Sequence, residues 1–159
     1  HFHLGDQMPW TGQVAALVHE AAEPMKLESA ILEGRQILVV EDNDVNRFLI
    51  RSLLQKWKAD VTCVENGVEA LKALTRSRFD LVFMDIQMPE MDGLEATRRF
   101  RTLEEEEKRE PTPIVALSAF AFDHDKEAAK EAGVDMHMSK PFSREELQAI
   151  CLRFISSDL

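Results

Sequence analysis

The chain's 159 residues, 45% of them hydrophobic, can furnish one globular core with a tail to spare. They hold no apolar run of the ~18 residues that a membrane-spanning helix needs, which excludes a spanning segment of that kind. A formal net charge of −10 excludes the clustered Lys and Arg that phosphate backbones demand, so no direct nucleic-acid binding is expected.

The opening HFHLGDQMPW lacks the basic region and apolar stretch of a secretory signal, and a chain that begins at His1 is expected to be a fragment. Residues 1–35 are broken at Pro24 and supply no independent core, so they read as a linker or tail. From Gln36 onward, short apolar runs alternate with amphipathic segments. QILVV (36–40) predicts the first strand, and VNRFLIRSLLQKW a helix with Val45, Phe48, Leu49, Ser52 and Leu53 on its apolar stripe. DVTCV (60–64) is the second strand, and the helix of NGVEALKAL opens on Asn66 and Glu69 at capping-box spacing. DLVFM (80–84) is the third, followed by MDGLEATRRFR, a helix with Asp92 as N-cap. RTLEEEEKREPTP (101–113) reads as a helix end and a charged loop, with Glu104 to Glu107 as solvated surface. PIVALS (113–118) is the fourth strand, and FDHDKEAAKEAG a helix closing on Gly133, suited to a left-handed C-terminal position. VDMHM (134–138) is the fifth strand. SREELQAICLRFI ends the pattern, with Ser143 and Glu146 as a capping box and Leu147, Ile150, Cys151 and Phe154 as its apolar stripe. Cys63 and Cys151 lie far apart without metal-ligand spacing and read as buried free thiols in a reducing compartment.

These β-α units occupy 36–155, leaving 156–159 as a short tail, and predict an α/β fold: a doubly wound, five-stranded parallel sheet with helices on both faces. Ligands of such sheets sit outside the carboxyl ends of the strands, near the point where strand order reverses. There the sequence sets Glu41 and Asp42 after the first strand, Asp85 after the third, Ser118 after the fourth, and Lys140 with Pro141 after the fifth. Three carboxylates in one pocket repel and raise each other's pKa unless a cation neutralises them. Oxygen-only ligands favour a hard ion, Mg²⁺ or Mn²⁺. With that ion and one ammonium in place the site can accept a phosphoryl group, the metal, Lys140 and the Ser118 hydroxyl each taking an oxygen. Asp85 at the centre can then be the nucleophile, forming an acyl phosphate. Each residue also has a plainer reading: Asp42 or Asp44 as a helix cap, Asp85 as a turn residue, Ser118 as a cap, Lys140 as a surface charge. Their joint placement at strand ends favours the shared site.

ILVVEDNDVNR, DLVFMDIQMPEMDG, PIVALSA and MSKPF, in this order and spacing over about 36–154, resemble the receiver domain of two-component signalling, the phosphoacceptor module of response regulators and hybrid histidine kinases. The resemblance implies flavodoxin-like strand order 2-1-3-4-5. It implies Asp85 as the phosphorylated aspartate, Glu41 and Asp42 as the acidic pair for Mg²⁺, and the backbone carbonyl of Gln87 as a further ligand. Ser118 stands where the family has its switch hydroxyl and Lys140 at its lysine, with Pro141 after a cis peptide bond. His137 departs from the pattern: the family usually places Tyr or Phe there, so a switch through aromatic rotation is put in doubt. The alternatives at His137 are a half-buried strand histidine and a pH-sensitive switch.

The wording of EDNDVNR and MDIQMPEMDG is closer to receivers fused to hybrid histidine kinases than to stand-alone regulators, and HFHL is similar to the closing strand of a kinase ATP-binding domain. The parent would then be a cytoplasmic or inner-membrane-anchored kinase, a transferase, with a kinase domain or histidine phosphotransfer protein as phosphoryl partner. Docking or weak homodimerisation through the fourth helix, fifth strand and fifth helix is a family habit. Phe120 and Phe122, at the start of that helix, are candidates for core or contact, and Gln87 and Phe120 occupy positions that tune dephosphorylation. The competing readings are a non-phosphorylated pseudo-receiver and a stand-alone single-domain regulator. An aspartyl-phosphate phosphatase of the haloacid-dehalogenase type would want Asp where Gln87 stands, and a flavodoxin-like module would bind flavin.

Overall fold

The computed structural model describes residues 31–86, 92–119 and 123–155. Strands β1 (Gln36–Val40), β2 (Asp60–Val64), β3 (Leu81–Asp85), β4 (Ile114–Ser118) and β5 (Met136–Ser139) alternate with helices α1 (Asp44–Lys56), α2 (Gly67–Arg76), α3 (Gly93–Glu107), α4 (Asp123–Ala132) and α5 (Arg144–Ile155). The strands form one parallel sheet in the order β2-β1-β3-β4-β5. Side-chain alternation divides each central strand between two cores. Ile37, Val39, Leu81, Phe83, Val115 and Leu117 pack with Ile50 and Leu54 of α1 and with Leu147, Ile150 and Cys151 of α5. On the opposite face Leu38, Val40, Val82, Met84, Ile114 and Ala116 meet Ala70 and Leu74 of α2, Ala96 and Phe100 of α3, and Ala129 of α4. No described helix is long and apolar enough to cross a membrane.

Helix starts follow their caps. Asn66 accepts from the Glu69 N–H and Asp92 from the Glu95 N–H, both at 2.9 Å, and Ser143 and Glu146 exchange reciprocal bonds of 2.8 and 3.0 Å. Gly133 takes a φ of +106°, as a left-handed helix end requires. Cys63 and Cys151 are free thiols; Cys151 is buried and Cys63 half-buried.

Four expectations change. Strand β3 runs one residue later than its apolar run suggested, so Asp85 is its last residue rather than its successor, while β4 ends on Ser118 as PIVALS does. On α1 the buried residues are Ile50 and Leu54, while Val45, Phe48 and Leu49 are exposed, at 73%, 61% and 44%. The sheet covers a stripe rotated from the one the periodicity favoured. Glu104 is not solvated surface but buried, because Arg101 pairs with its Oε1 and the Thr112 N–H donates to its Oε2, each at 2.8 Å. Helix α3 also runs to Glu107, further than the charged stretch suggested. Finally, packing begins before Gln36: Leu32 is buried in the α1/α5-side core, and its N–H donates to the Trp57 carbonyl at 2.9 Å.

Candidate functional site

The strand order reverses at β1, which has β2 on one side and β3 on the other, and the carboxyl ends of β1 and β3 are where ligands of such sheets sit. Val40 pairs with Met84, so the next residue on each strand brings Glu41 beside Asp85. Both are buried, while Asp42, one residue further, is exposed. One carboxylate oxygen from each of Glu41, Asp42 and Asp85 lies within 4.8 Å of the others.

Asp42 is free to face the cluster because a neighbour does the helix capping. Asn43 is the N-cap of α1, its side chain accepting from the Asn46 N–H at 2.9 Å. The capping alternative for Asp42 and Asp44 is thereby removed. Glu41 is tied from several directions: its N–H donates to the Val64 carbonyl at 3.1 Å, and its Oε2 accepts from the Asn43 N–H at 3.1 Å.

From β5 the chain returns to the same edge. The Lys140 N–H donates to the Ser118 carbonyl at 2.8 Å, the Lys140–Pro141 peptide is cis, and Lys140 Nζ reaches Glu41 Oε1 at 2.9 Å and Asp85 Oδ2 at 3.2 Å. Ser118, buried, lies beside Ser139 in the β4–β5 register. His137 is buried on β5 opposite Ala116. Gln87, Phe120 and Phe122 lie outside the described residues.

The electrostatics of the Glu41–Lys140 pair are lopsided. Burial works to lower the Lys140 pKa, but hydrogen bonding to Glu41 and the charge of Asp85 outweigh it, and the net shift is upward. Glu41 is also pushed up, chiefly by burial and further by the Asp85 charge, in spite of its bond to Lys140. The 2.9 Å contact shows that the pair is made, with one ammonium set among three carboxylates. Three carboxylates with no soft or nitrogen ligand in the cluster fit a small, hard divalent cation.

Comparison with known proteins matches residues 37–151 to the response regulator receiver domain. The chain belongs to this family. It is 42% identical over 119 residues to the sensor histidine kinase GacS of Pseudomonas protegens, covering 75% of this chain and 13% of that kinase. Similar solved receivers include that of the sensor histidine kinase PA1611 from Pseudomonas aeruginosa, with magnesium coordinated in its active-site cleft; TM-score 0.70, 40% identity, 77% of this chain and 98% of that one. The receiver of Ssk1 from Saccharomyces cerevisiae, crystallised with the histidine phosphotransfer protein Ypd1, matches with TM-score 0.74 and 30% identity over 80% of this chain and 93% of that one. The receiver thus has hybrid sensor histidine kinases among its curated relatives, and the resemblance read from the four motifs and the strand order 2-1-3-4-5 both stand.

Two residues of the receiver's crevice escaped the sequence reading. Asn43 caps α1, where the sequence reading names only its acidic neighbours, although Asn is a strong N-cap. Arg47 lies within EDNDVNR, but its side chain donates from Nη1 to the Glu41 carbonyl at 2.8 Å, a contact that spacing alone does not reveal.

Proposed function

We propose that this receiver takes a phosphoryl group from phosphohistidine onto Asp85. The observation that carries the reading is the gathering of Glu41, Asp42 and Asp85 with Lys140 at one sheet edge. Glu41, Asp42 and Asp85, with the Gln87 carbonyl, would hold Mg²⁺, which when bound supplies neutralisation of the charge on the phosphoryl oxygens. An Asp85 carboxylate oxygen attacks phosphorus, the P–O bond forming as the P–N bond to the imidazole breaks and its electron pair returns to the ring nitrogen. Lys140 holds a second phosphoryl oxygen by charge, and the Ser118 hydroxyl donates to a third. Ser118 and His137 then carry the change toward α4 and β5.

The donor is a histidine phosphotransfer protein or the histidine-containing domain of a kinase, as the Ssk1 pairing with Ypd1 supports. The domain whose core begins at Leu32 acts as the receiver of a hybrid histidine kinase, with the residues before it as a lead-in, a reading favoured by the GacS likeness. Retention of Asp85, Lys140 and the acidic pair speaks against a pseudo-receiver.

The test is incubation with acetyl phosphate and Mg²⁺, followed by intact-mass measurement. Wild type should gain one phosphate-sized, hydroxylamine-labile increment, and Asp85→Asn should gain none. A wild-type protein that stays unmodified under these conditions and beside a competent phosphohistidine donor ends the reading.

A further inference from the structure

The β1–α1 loop must hold Asp42 beside Glu41 although their charges repel, and α1 starts only at Asp44. One turn into that helix, the Arg47 side chain runs back along the loop. Its Nη1 donates to the Glu41 carbonyl at 2.8 Å, and its Nη2 is paired with Asp44 Oδ1. The Arg47 N–H meanwhile donates to the Asn43 carbonyl at 2.9 Å. Residues 41–44 are thus clasped at both ends by one residue. The Arg47 side chain is largely covered, at 16% exposure, whereas that of Asp44 is 89% exposed and serves mainly to orient it.

We infer that Arg47 is a positioning residue for metal binding: it holds the Glu41–Asp42 loop in the shape in which its acids face Asp85. The inference rests on the phosphoacceptor reading for the identity of the ion. Arg47 itself touches neither ion nor phosphoryl group. A lysine cannot replace it, because a single ammonium does not offer two fixed donors in the fork geometry that joins a carbonyl to a carboxylate.

Two other roles make opposite forecasts. If Arg47 acted only as a nearby positive charge, it would compete with the cation, and neutralising it would tighten Mg²⁺ binding. If it merely braced the fold, its loss would lower stability and leave affinity unchanged. Groups behind the ligands that fix their orientation typically change metal affinity by ~10–100-fold when removed.

The experiment is calorimetric titration of the 159-residue protein with MgCl₂ for wild type, Arg47→Lys, Arg47→Gln and Asp44→Asn, alongside urea denaturation of each in EDTA. Arg47→Lys and Arg47→Gln should both bind Mg²⁺ ~10-fold or more weakly, with Asp44→Asn near wild type. Wild-type affinity in both Arg47 variants, or tighter binding by Arg47→Gln, overturns the inference. Should Arg47→Gln fail to fold, the charge-preserving Arg47→Lys decides alone, since only the loop clasp separates it from wild type. Absence of Mg²⁺ binding by wild type itself would instead sink the underlying metal-site reading, so the two failures are distinct.

Discussion

Glu41 is wholly buried, one ammonium lies 2.9 Å away, and two more carboxylates share the cluster. Burial raises its pKa, so the folded protein holds this proton more tightly than the unfolded chain does. The stability this group contributes is therefore fully present below the ordinary glutamate pKa and is lost as pH rises through the folded value. In metal-free protein, the stability of Glu41→Gln relative to wild type should increase from about pH 4 to about pH 7, as urea midpoints would record. Millimolar Mg²⁺ should oppose that trend in wild type by binding the ionised acids. A pH-independent difference between the two proteins would contradict the assignment. At the same scale Gly93 explains why α3 can start where it does: a Cβ built there would stand 2.2 Å from the Asp85 carbonyl oxygen, so any larger residue displaces the backbone of Asp85.

Helix α1 does two jobs. Its Ile50 and Leu54 anchor it to the sheet, and its N-terminus carries Asn43, Asp44 and Arg47 against the acidic loop. Val45, Phe48 and Leu49 are left exposed within the first turns of the same element. On the proposed phosphorelay reading, this apolar face would let a donor protein seat its histidine, since burying it would supply affinity without touching the acids. Phe48→Asp should therefore slow transfer from a phosphohistidine donor by ~10-fold or more, and far more than it slows labelling by acetyl phosphate. Being exposed, the change should move stability by only about 0.5 kcal/mol. Equal slowing with both donors would remove α1 from the docking surface. The ion pairs and hydrogen bonds of Arg101, to Glu104, Asp135 and the Gly133 carbonyl, belong to the opposite end of the sheet and hold α3 to the segment before β5.

Across the whole molecule, the sheet order makes the site: β1 and β3 are neighbours only because the chain crosses from β2 at one edge to β3 beyond β1. The core that supports this order extends to Leu32, which lies with Ile37, Leu54 and Trp57 at the end of the sheet away from the acids. Leu32→Ala should cost ~2–4 kcal/mol, the usual range for emptying a buried leucine site, while Mg²⁺ affinity of the folded protein stays put. Urea denaturation of the variant checks this, and a loss under about 0.5 kcal/mol would place the domain's start at Gln36 after all.

Short-range rules made much of this protein legible in its sequence. Strand and helix order follow from apolar periodicity, and the caps at Asn66, Asp92 and Ser143 from local hydrogen bonding. The convergence of acids and lysine on one edge follows from parallel strands all ending on the same side. What the tertiary structure alone decided depends on which surface meets which. Helix α1 carries more apolar residues than the sheet can cover, so its docking angle chose Ile50 and Leu54 over Val45 and Phe48. Glu104 is bonded by Thr112 from the loop beyond its helix, Leu32 by Trp57 from the far end of α1, and the Arg47 clasp joins α1 to the loop before it. Such contacts depend on three-dimensional closure, and hydrophobic spacing carries no record of it.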